Sequence, residues 1–425
     1  MSSPAASTPV RQAALVFIFV TVLIDVLSFG IIIPVLPQLI KQMAGGDTGD
    51  AAHWVGLLGT VFAVVQFVFN PIQGALSDRF GRRPVVLISN LGLGLDFVLM
   101  ALVQTLPWLL LARVISGMTS ASFSTANAYI ADVTPPDKRA GAFGMIGAAF
   151  GIGFVLGPAL GGLLGEIDLR LPFWVAAGMA LLNFCYGFFV LPESLPKERR
   201  TPRIDWRRAN PVGAVLLLLQ YPQVYALAVV VFLSQLAHYV LNTTFVLYAD
   251  YRYGWGPQEV GYTLGVVGIC NSIVQAVLVA KIVRRYGERK AILAGLCFGA
   301  IGFAWQGLAT TGLLSLLALP FLALWGCAGP ASQVLMTRQV DPHEQGRLQG
   351  SLSGLVSFSG IIGPGLYTTI FAWGISTDKG WHLPGAAFLL AAVLLAVAVV
   401  VAWRATLNLR GYTPPAAAAG PDHAA

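Results

Sequence analysis

Two carboxylates stand where carboxylates are costly. Asp25 interrupts the apolar run "VTVLIDVLSFGIIIPVL" (Val20–Leu36), and Asp96 interrupts "LGLGLDFVLM". Of the nineteen Asp and Glu, only these two lie well inside apolar windows. Arg113 and His238 are ionisable groups in the same kind of setting. Ionisable side chains inside a bilayer mark ion or proton routes, ligand contacts or internal ion pairs. Burial raises a carboxylate's pKa and a nearby cation lowers it. A carboxylate balanced between the two takes up and releases a proton as its surroundings change. Asp25, Asp96, Arg113 and His238 are therefore the candidate proton-handling group, with Asp25 and Arg113 expected to pair. The plainer alternatives are a static ion pair for Asp25, a wet vestibule for Asp96 and a satisfied polar group for His238. Gln66, Gln235, Asn242, Asn271 and Gln275 add uncharged hydrogen-bonding capacity in similar windows. With Arg113 and Trp305, the residues Gln66, Asn242, Asn271 and Gln275 form the candidate ligand contacts. Phe303, Tyr239 and Phe245 are further aromatic candidates, each more readily explained as packing.

The elements that must hold these groups are membrane helices. The chain has 425 residues, 56% hydrophobic and 11% charged, against about 25% charged in a soluble domain, and its mean hydropathy is +0.73. Apolar windows of about 20 residues, the length of a helical span, recur at 13–37, 54–74, 84–104, 107–131, 140–165, 172–191, 224–247, 258–283, 289–309, 312–336, 346–372 and 382–404. A membrane barrel would instead show alternating segments of about 10 residues. With the N-terminus inside, 21 of the 26 Lys and Arg fall on the inner side. Lys41, Arg170, Arg252 and Lys379 fall outside and Arg113 within the membrane. That skew predicts both termini cytoplasmic and explains the +7 net charge without nucleic acid. The first span is too long for a cleaved signal peptide and carries Asp25. The four cysteines lie in spans without metal-ligand spacing and read as packing residues. No P-loop lysine pattern, nucleophile elbow or metal cluster is present, so neither an enzyme nor an ATP-driven machine is expected, and no metal or cofactor.

The spans divide into two sets of six. Residues 1–12 and 405–425 read as disordered cytoplasmic ends, 13–191 and 212–404 as six-helix bundles, and the Pro- and Arg-rich 192–211 as a cytoplasmic linker. "ALSDRFGRRPVVL" and "KIVRRYGERKAIL" align with Gly81 and Gly287 206 residues apart. Gly157-Pro158 and Gly363-Pro364 repeat the same offset. Duplicated bundles in an all-α polytopic protein are a transporter architecture, with the substrate site near the midplane between them.

The loop "GALSDRFGRRP" carries Gly74, Asp78, Arg79, Gly81, Arg82 and Arg83. Gly74 is expected to allow close backbone approach, and Asp78 to accept from a helix N-terminus. Arg82 and Arg83 are expected to fork onto carboxylates, with Asp132 as the acidic partner. The functional reading is a charge latch holding the halves together in an outward-facing state; the plainer one is a tight turn with positive-inside charge. Gly153, Gly157 and Gly161, with Pro158, form a small-residue stripe suited to close helix packing.

The loop resembles the signature of the major facilitator superfamily. "RVISGMTSAS" is similar to that superfamily's fourth-helix motif, and "GIGFVLGPALGG" to the fifth-helix motif of its drug:proton antiporters. With "LPESLP", "GWGPQEVG" and "HEQGRLQGSL", the chain resembles the TetA-type tetracycline efflux proteins over nearly its whole length. The resemblance implies a proton-driven drug exporter of the bacterial inner membrane, functional as a monomer, with small drugs, protons and the lipid bilayer as its only partners. It maps Asp25, Asp96, Gln66 and Arg113 onto positions important in those exporters. It also marks a departure: where they carry a histidine in helix eight and an aspartate in helix nine, this chain has Asn271 and Gly299. Alternatives are a broader multidrug exporter, a metabolite symporter or facilitator, and a non-transporting membrane receptor.

Overall fold

A computed structural model describes residues 8–120, 122–135, 138–201, 222–340, 345–376 and 382–407. Half of the linker (202–211), the apolar stretch 212–220 that follows it, Lys379 and both extreme ends lie outside the described residues. No strand occurs among those described.

Among the described residues, ten helical stretches are long and apolar enough to cross a membrane. They carry eleven of the twelve expected spans, because Pro257–Leu308 holds two, and the twelfth is built from the shorter pieces Leu106–Thr119 and Ser122–Val133. In the first half the spans are α1 (Thr8–Ile32), α2 (Thr48–Phe80), α3 (Arg82–Leu102), α4 (Leu106–Thr119 continued by Ser122–Val133), α5 (Arg139–Ile167) and α6 (Leu171–Val190). In the second half they begin with α7 (Pro222–Thr243 continued by Phe245–Tyr253) and α8 (residues 257–286). There follow α9 (residues 288–308), α10 (Gly312–Leu317, Leu319–Trp325 and Ala328–Thr337), α11 (Gln345–Ile375) and α12 (Ala386–Leu407). A short helix, Leu36–Met43, follows α1 after the break at Pro34, where proline lacks the N–H that a continuous helix needs.

The sequence repeat is also a backbone repeat. Gly81 between α2 and α3 has φ 108° and ψ 161°, and Gly287 between α8 and α9 has φ 79° and ψ 162°. That region is open essentially to glycine alone. The same reversal thus turns the chain at the same place in each half.

The halves meet through two helix pairs, α2 with α11 and α5 with α8. Exchanging the halves converts one pair into the other. A Cβ on Gly59 would press on Pro364 at 3.0 Å, and Thr60 Oγ1 donates to the Ile361 carbonyl at 3.4 Å. On the other seam, Gly162 and Gly261 lie backbone to backbone. The stripe Gly153, Gly157 and Gly161 faces elsewhere than between the halves. It lets α5 lie on α1, where a Cβ on Gly157 would sit 2.8 Å from Gly30 Cα and one on Gly161 would overlap the Ile31 carbonyl.

The two ends of the bundle differ. At the end away from the Asp78–Arg83 loop, Lys41 Nζ meets Asp250 Oδ2 at 2.5 Å, from opposite halves, and Gln38 Nε2 donates to the Trp255 carbonyl at 3.5 Å. Toward the loop end α5 and α8 part: a Cβ on Gly151 would meet Ser272 Oγ at 3.4 Å, whereas one on Gly147, Gly144 or Gly141 would meet nothing within 4 Å. Among the described residues, the halves meet at the far end and part at the loop end.

Candidate functional site

The first-half interior holds the charges. Arg113 of α4 reaches Asp96 of α3, Nη2 to Oδ2, at 3.0 Å, with the Asp96 side chain fully buried. The same Nη2 lies 2.5 Å from Met100 Sδ, and the guanidinium stands 5.8 Å from the Phe62 ring centre of α2. Ser116 lies beside Asp96. Arg113 thus pairs with Asp96 and not with Asp25 as expected. The reason is local: α3 and α4 are packed neighbours, which puts this pair within reach.

Asp25 has another companion. Its Oδ1 accepts from Asn183 Nδ2 of α6 at 3.2 Å, and Asn183 also donates to the Thr21 carbonyl at 3.3 Å. Asp25 is 3% exposed and Asn183 is fully buried. Asn183 escaped the sequence reading, although an Asn inside "ALLNFCYGFF" was the available signal. Asn90, also fully buried, has neither amide atom bonded to a protein group.

The other candidate ligand residues do not gather with these. Gln66 sits half-buried one turn from Phe62 on α2. Asn271 and Gln275 face α10 where it breaks: Gln275 Nε2 donates to the Gly326 carbonyl at 3.3 Å. α10 tightens there, with Gly326 N–H to the Ala323 carbonyl at 3.0 Å and Cys327 N–H to the Leu324 carbonyl at 3.2 Å. A π turn, Val274–Leu278, interrupts α8 beside it. Such bulges recur at functional positions. His238 meets the Trp325 ring at 5.6 Å.

Asn242 is exposed near the far end of α7. Trp305 points away from the space between the halves. Its Nε1 donates to the Leu314 carbonyl at 2.9 Å and its ring stacks on Phe321. It borders an outer groove with Ile301 and Leu308, because α9 packs on α10 and α12. Phe303 and Phe245 are buried packing residues, and Tyr239 packs on Gly360 and Gly363. Gly299 has no space for a longer side chain: a Cβ would lie 2.8 Å from Trp325 Cγ and 2.7 Å from Leu395 Cδ1. Two hydrophobic neighbours have taken the place a carboxylate would need.

The loop residues form one network. Arg82 Nη1 pairs with Asp78 at 2.5 Å and Nε with Asp132 at 3.1 Å, and Nη1 donates to Ser77 Oγ at 3.2 Å. Arg83 Nη2 donates to the Phe188 carbonyl at 2.7 Å rather than to a carboxylate. Arg79 lies on the Phe80 ring at 5.2 Å. Gly74 has no neighbour within 4 Å, so no close approach explains it. The N-terminus of α3 is served by Glu193, not by Asp78: the Arg82 N–H donates to Glu193 Oε1 at 2.8 Å. Glu193 also meets Arg200 at 3.5 Å, Ser194 Oγ donates to Asp132 at 3.3 Å, and the Thr201 N–H donates to the Asp78 carbonyl at 3.1 Å. The first stretch of the linker therefore straps the loop to α4 within the first half. Every partner of the Arg82 side chain named here belongs to that half.

Comparison with known proteins agrees with this architecture. The Major Facilitator Superfamily model matches residues 18–364 and 227–423. The chain is 40% identical to the tetracycline resistance protein, class C, of Escherichia coli over 379 residues, 88% of this chain and 94% of that protein. It is 32% identical to the class H protein of Pasteurella multocida over 414 residues, 97% of this chain and 100% of that one. In fold it is similar to a bacterial homolog of the human lysosomal transporter Spinster in an inward-facing, unoccupied conformation, with TM-score 0.77 and 18% identity, covering 96% and 100% of the chains. The human organic anion transporter MFSD10 gives TM-score 0.68 and 23% identity, covering 92% and 99%. The apolar spans, the duplicated bundles, the Gly81–Arg82 loop and these relatives lead to one assignment: this multi-pass membrane protein is a transporter of the Major Facilitator Superfamily, related to the tetracycline resistance proteins, and not an enzyme.

Proposed function

We propose that the chain is a proton-coupled exporter of tetracycline or a related small amphipathic drug, working by alternating access from a cavity between its halves. Its near full-length similarity to proteins named for tetracycline resistance carries the reading. Buried carboxylates in the first half, Asp25 and Asp96, fit the need for a group that loads and releases protons. The energy source is the proton gradient, with no cofactor. The site is a bacterial inner membrane, with the basic loop end and both termini cytoplasmic, as the Lys and Arg distribution supports. The chain acts as a monomer.

In the state described, the cytoplasmic end is open and drug enters from that side. Closing that end brings the Asp78–Arg82–Asp132 network against the second half, where it serves as the latch. Opening the far end requires Lys41 to leave Asp250. Asp25 then exchanges its proton with the outer side.

Everted membrane vesicles test the reading. With an imposed proton gradient, they should accumulate tetracycline, and tetracycline addition should release protons from the vesicle interior. Vesicles that show neither response would sink it. A susceptibility panel in an efflux-deficient host, with tetracycline beside unrelated amphiphiles, separates a narrow exporter from a broad one.

A further inference from the structure

The second half has no carboxylate in its membrane interior, yet it has a cleft. Helices α7, α10 and α11 line an open cleft of about 600 Å³, within the range of drug-sized sites. It lies toward the open loop end. α7 and α11 both flank the first half through α2, and Leu296 of α9, fully buried, closes the back. Gly329 and Gly350 nearby have no neighbour within 4 Å, so the space is uncrowded.

Its chemistry is uniform. Gln235, Gln333 and Gln349 face it from three different helices, and their side-chain amides make no hydrogen bond to any other described residue. Two other amides of this half are engaged: Gln306 donates to Ser315 at 2.7 Å and Gln275 to Gly326 at 3.3 Å. The serines of the cleft are different again. Ser332 and Ser357 give their protons to the Ala328 and Ser353 carbonyls, at 2.8 and 2.9 Å, which leaves their oxygens as acceptors. No charged side chain lines the cleft among the described residues.

We propose that this cleft is the substrate's recognition site: a neutral subsite that reads an uncharged edge carrying carbonyl, hydroxyl and carboxamide groups, while the charged first half handles the proton. Three free amides offer both donors and acceptors, and the serine oxygens offer acceptors. A bare cation or anion would find no counter-charge there. A ring compound with alternating donors and acceptors along one edge fits, and tetracycline carries such an edge. The proposal rests on the tetracycline reading above and adds the place and the chemistry of recognition.

The test is tetracycline binding to the purified full chain in detergent, followed by calorimetry. Gln235→Met, Gln333→Met and Gln349→Met keep side-chain length and remove the hydrogen bonds. Each should raise the Kd roughly three- to tenfold, as loss of one or two neutral hydrogen bonds does, and the triple variant should raise it further. Ser353→Cys supplies a second readout that does not depend on those variants folding. Tetracycline should slow its maleimide labelling, followed at that residue by mass spectrometry. Wild-type binding with unchanged Kd in all three variants, or labelling at residue 353 indifferent to the drug, overturns the cleft and leaves the tetracycline reading intact. A wild type that binds no tetracycline overturns that reading, and the cleft as its site along with it.

Discussion

Arg82 and Glu288 occupy the same position in the two halves, 206 residues apart, and carry opposite charges. Their partners are related in the same way. Arg82 pairs with Asp132 at 3.1 Å, and Glu288 pairs with Arg338 at 2.9 Å, Asp132 and Arg338 being again 206 residues apart. Each pair joins the start of one helix to the end of the next, just past a glycine with the same backbone reversal. The duplication has kept the ion pair and exchanged its ends.

The exchange predicts a rescue. Arg338→Glu sets two carboxylates together and should lower thermal stability more than Arg338→Ala. The double variant Glu288→Arg, Arg338→Glu should recover most of the loss. The whole effect stays within about 1 kcal/mol, since the Arg338 side chain is 61% exposed and exposed pairs contribute little. Thermal melting of the purified chain in detergent checks it. In the first half, Arg82→Lys should abolish transport in vesicles even with normal membrane levels. A lysine cannot serve Asp78, Ser77 and Asp132 at once as the guanidinium fork does.

The Asp96–Arg113 pair should be unforgiving when broken from one side. Asp96→Asn leaves a buried guanidinium without its counter-charge, a cost of about 3–5 kcal/mol. The double variant Asp96→Asn, Arg113→Gln should be more stable than either single one. Folded yield by size-exclusion chromatography and the melting temperature read both. Losses that simply add in the double variant would show that the pair carries no coupling.

For Asp25 the expected separation is between binding and driving. Asp25→Asn should keep the Kd for tetracycline within about threefold and lose gradient-driven accumulation in everted vesicles. Asn183→Leu removes the amide 3.2 Å from Asp25 and should shift the pH at which transport is half-maximal without abolishing it. Transport measured across pH in the two variants decides.

At the far end, Lys41→Cys and Asp250→Cys in a chain whose four native cysteines are replaced should cross-link readily, because the two side chains already meet across the halves. The cross-link should stop transport and a reductant should restore it. Transport that continues with the link intact would mean that this end need not open.

The residues that proved most legible in the sequence were those set by backbone need. Gly81 and Gly287 announced the reversal because no other residue holds that φ and ψ, and Asp25 and Asp96 announced themselves by cost. Partners were less legible. Which acid meets Arg113 depends on the rotation of α4 about its axis, and residue spacing alone does not separate Asp25 from Asp96. The glycine stripe was visible, but whether it faced α1 or α8 turns on one residue of register: Gly161 meets α1 and Gly162 meets α8. Trp305 was drawn toward the cavity by its type, whereas α9 holds it on the outer side. The Glu288–Arg338 pair follows from the repeat offset, but the second half lacks the Asp-Arg-x-Gly-Arg-Arg spacing that marks its counterpart in the first. Gln235 stands out as a polar residue within a span, while Gln333 and Gln349 gain meaning from the three helices that bring them round one space.

The two seams between the halves have a consequence for the covalent chain. The helix pairs α2–α11 and α5–α8, with the Lys41–Asp250 contact, join the bundles through the bilayer without using the peptide that connects them. The bundles are thus two half-molecules that recognise each other. A polypeptide severed between them, with both pieces made in one cell, should reassemble into a single working unit.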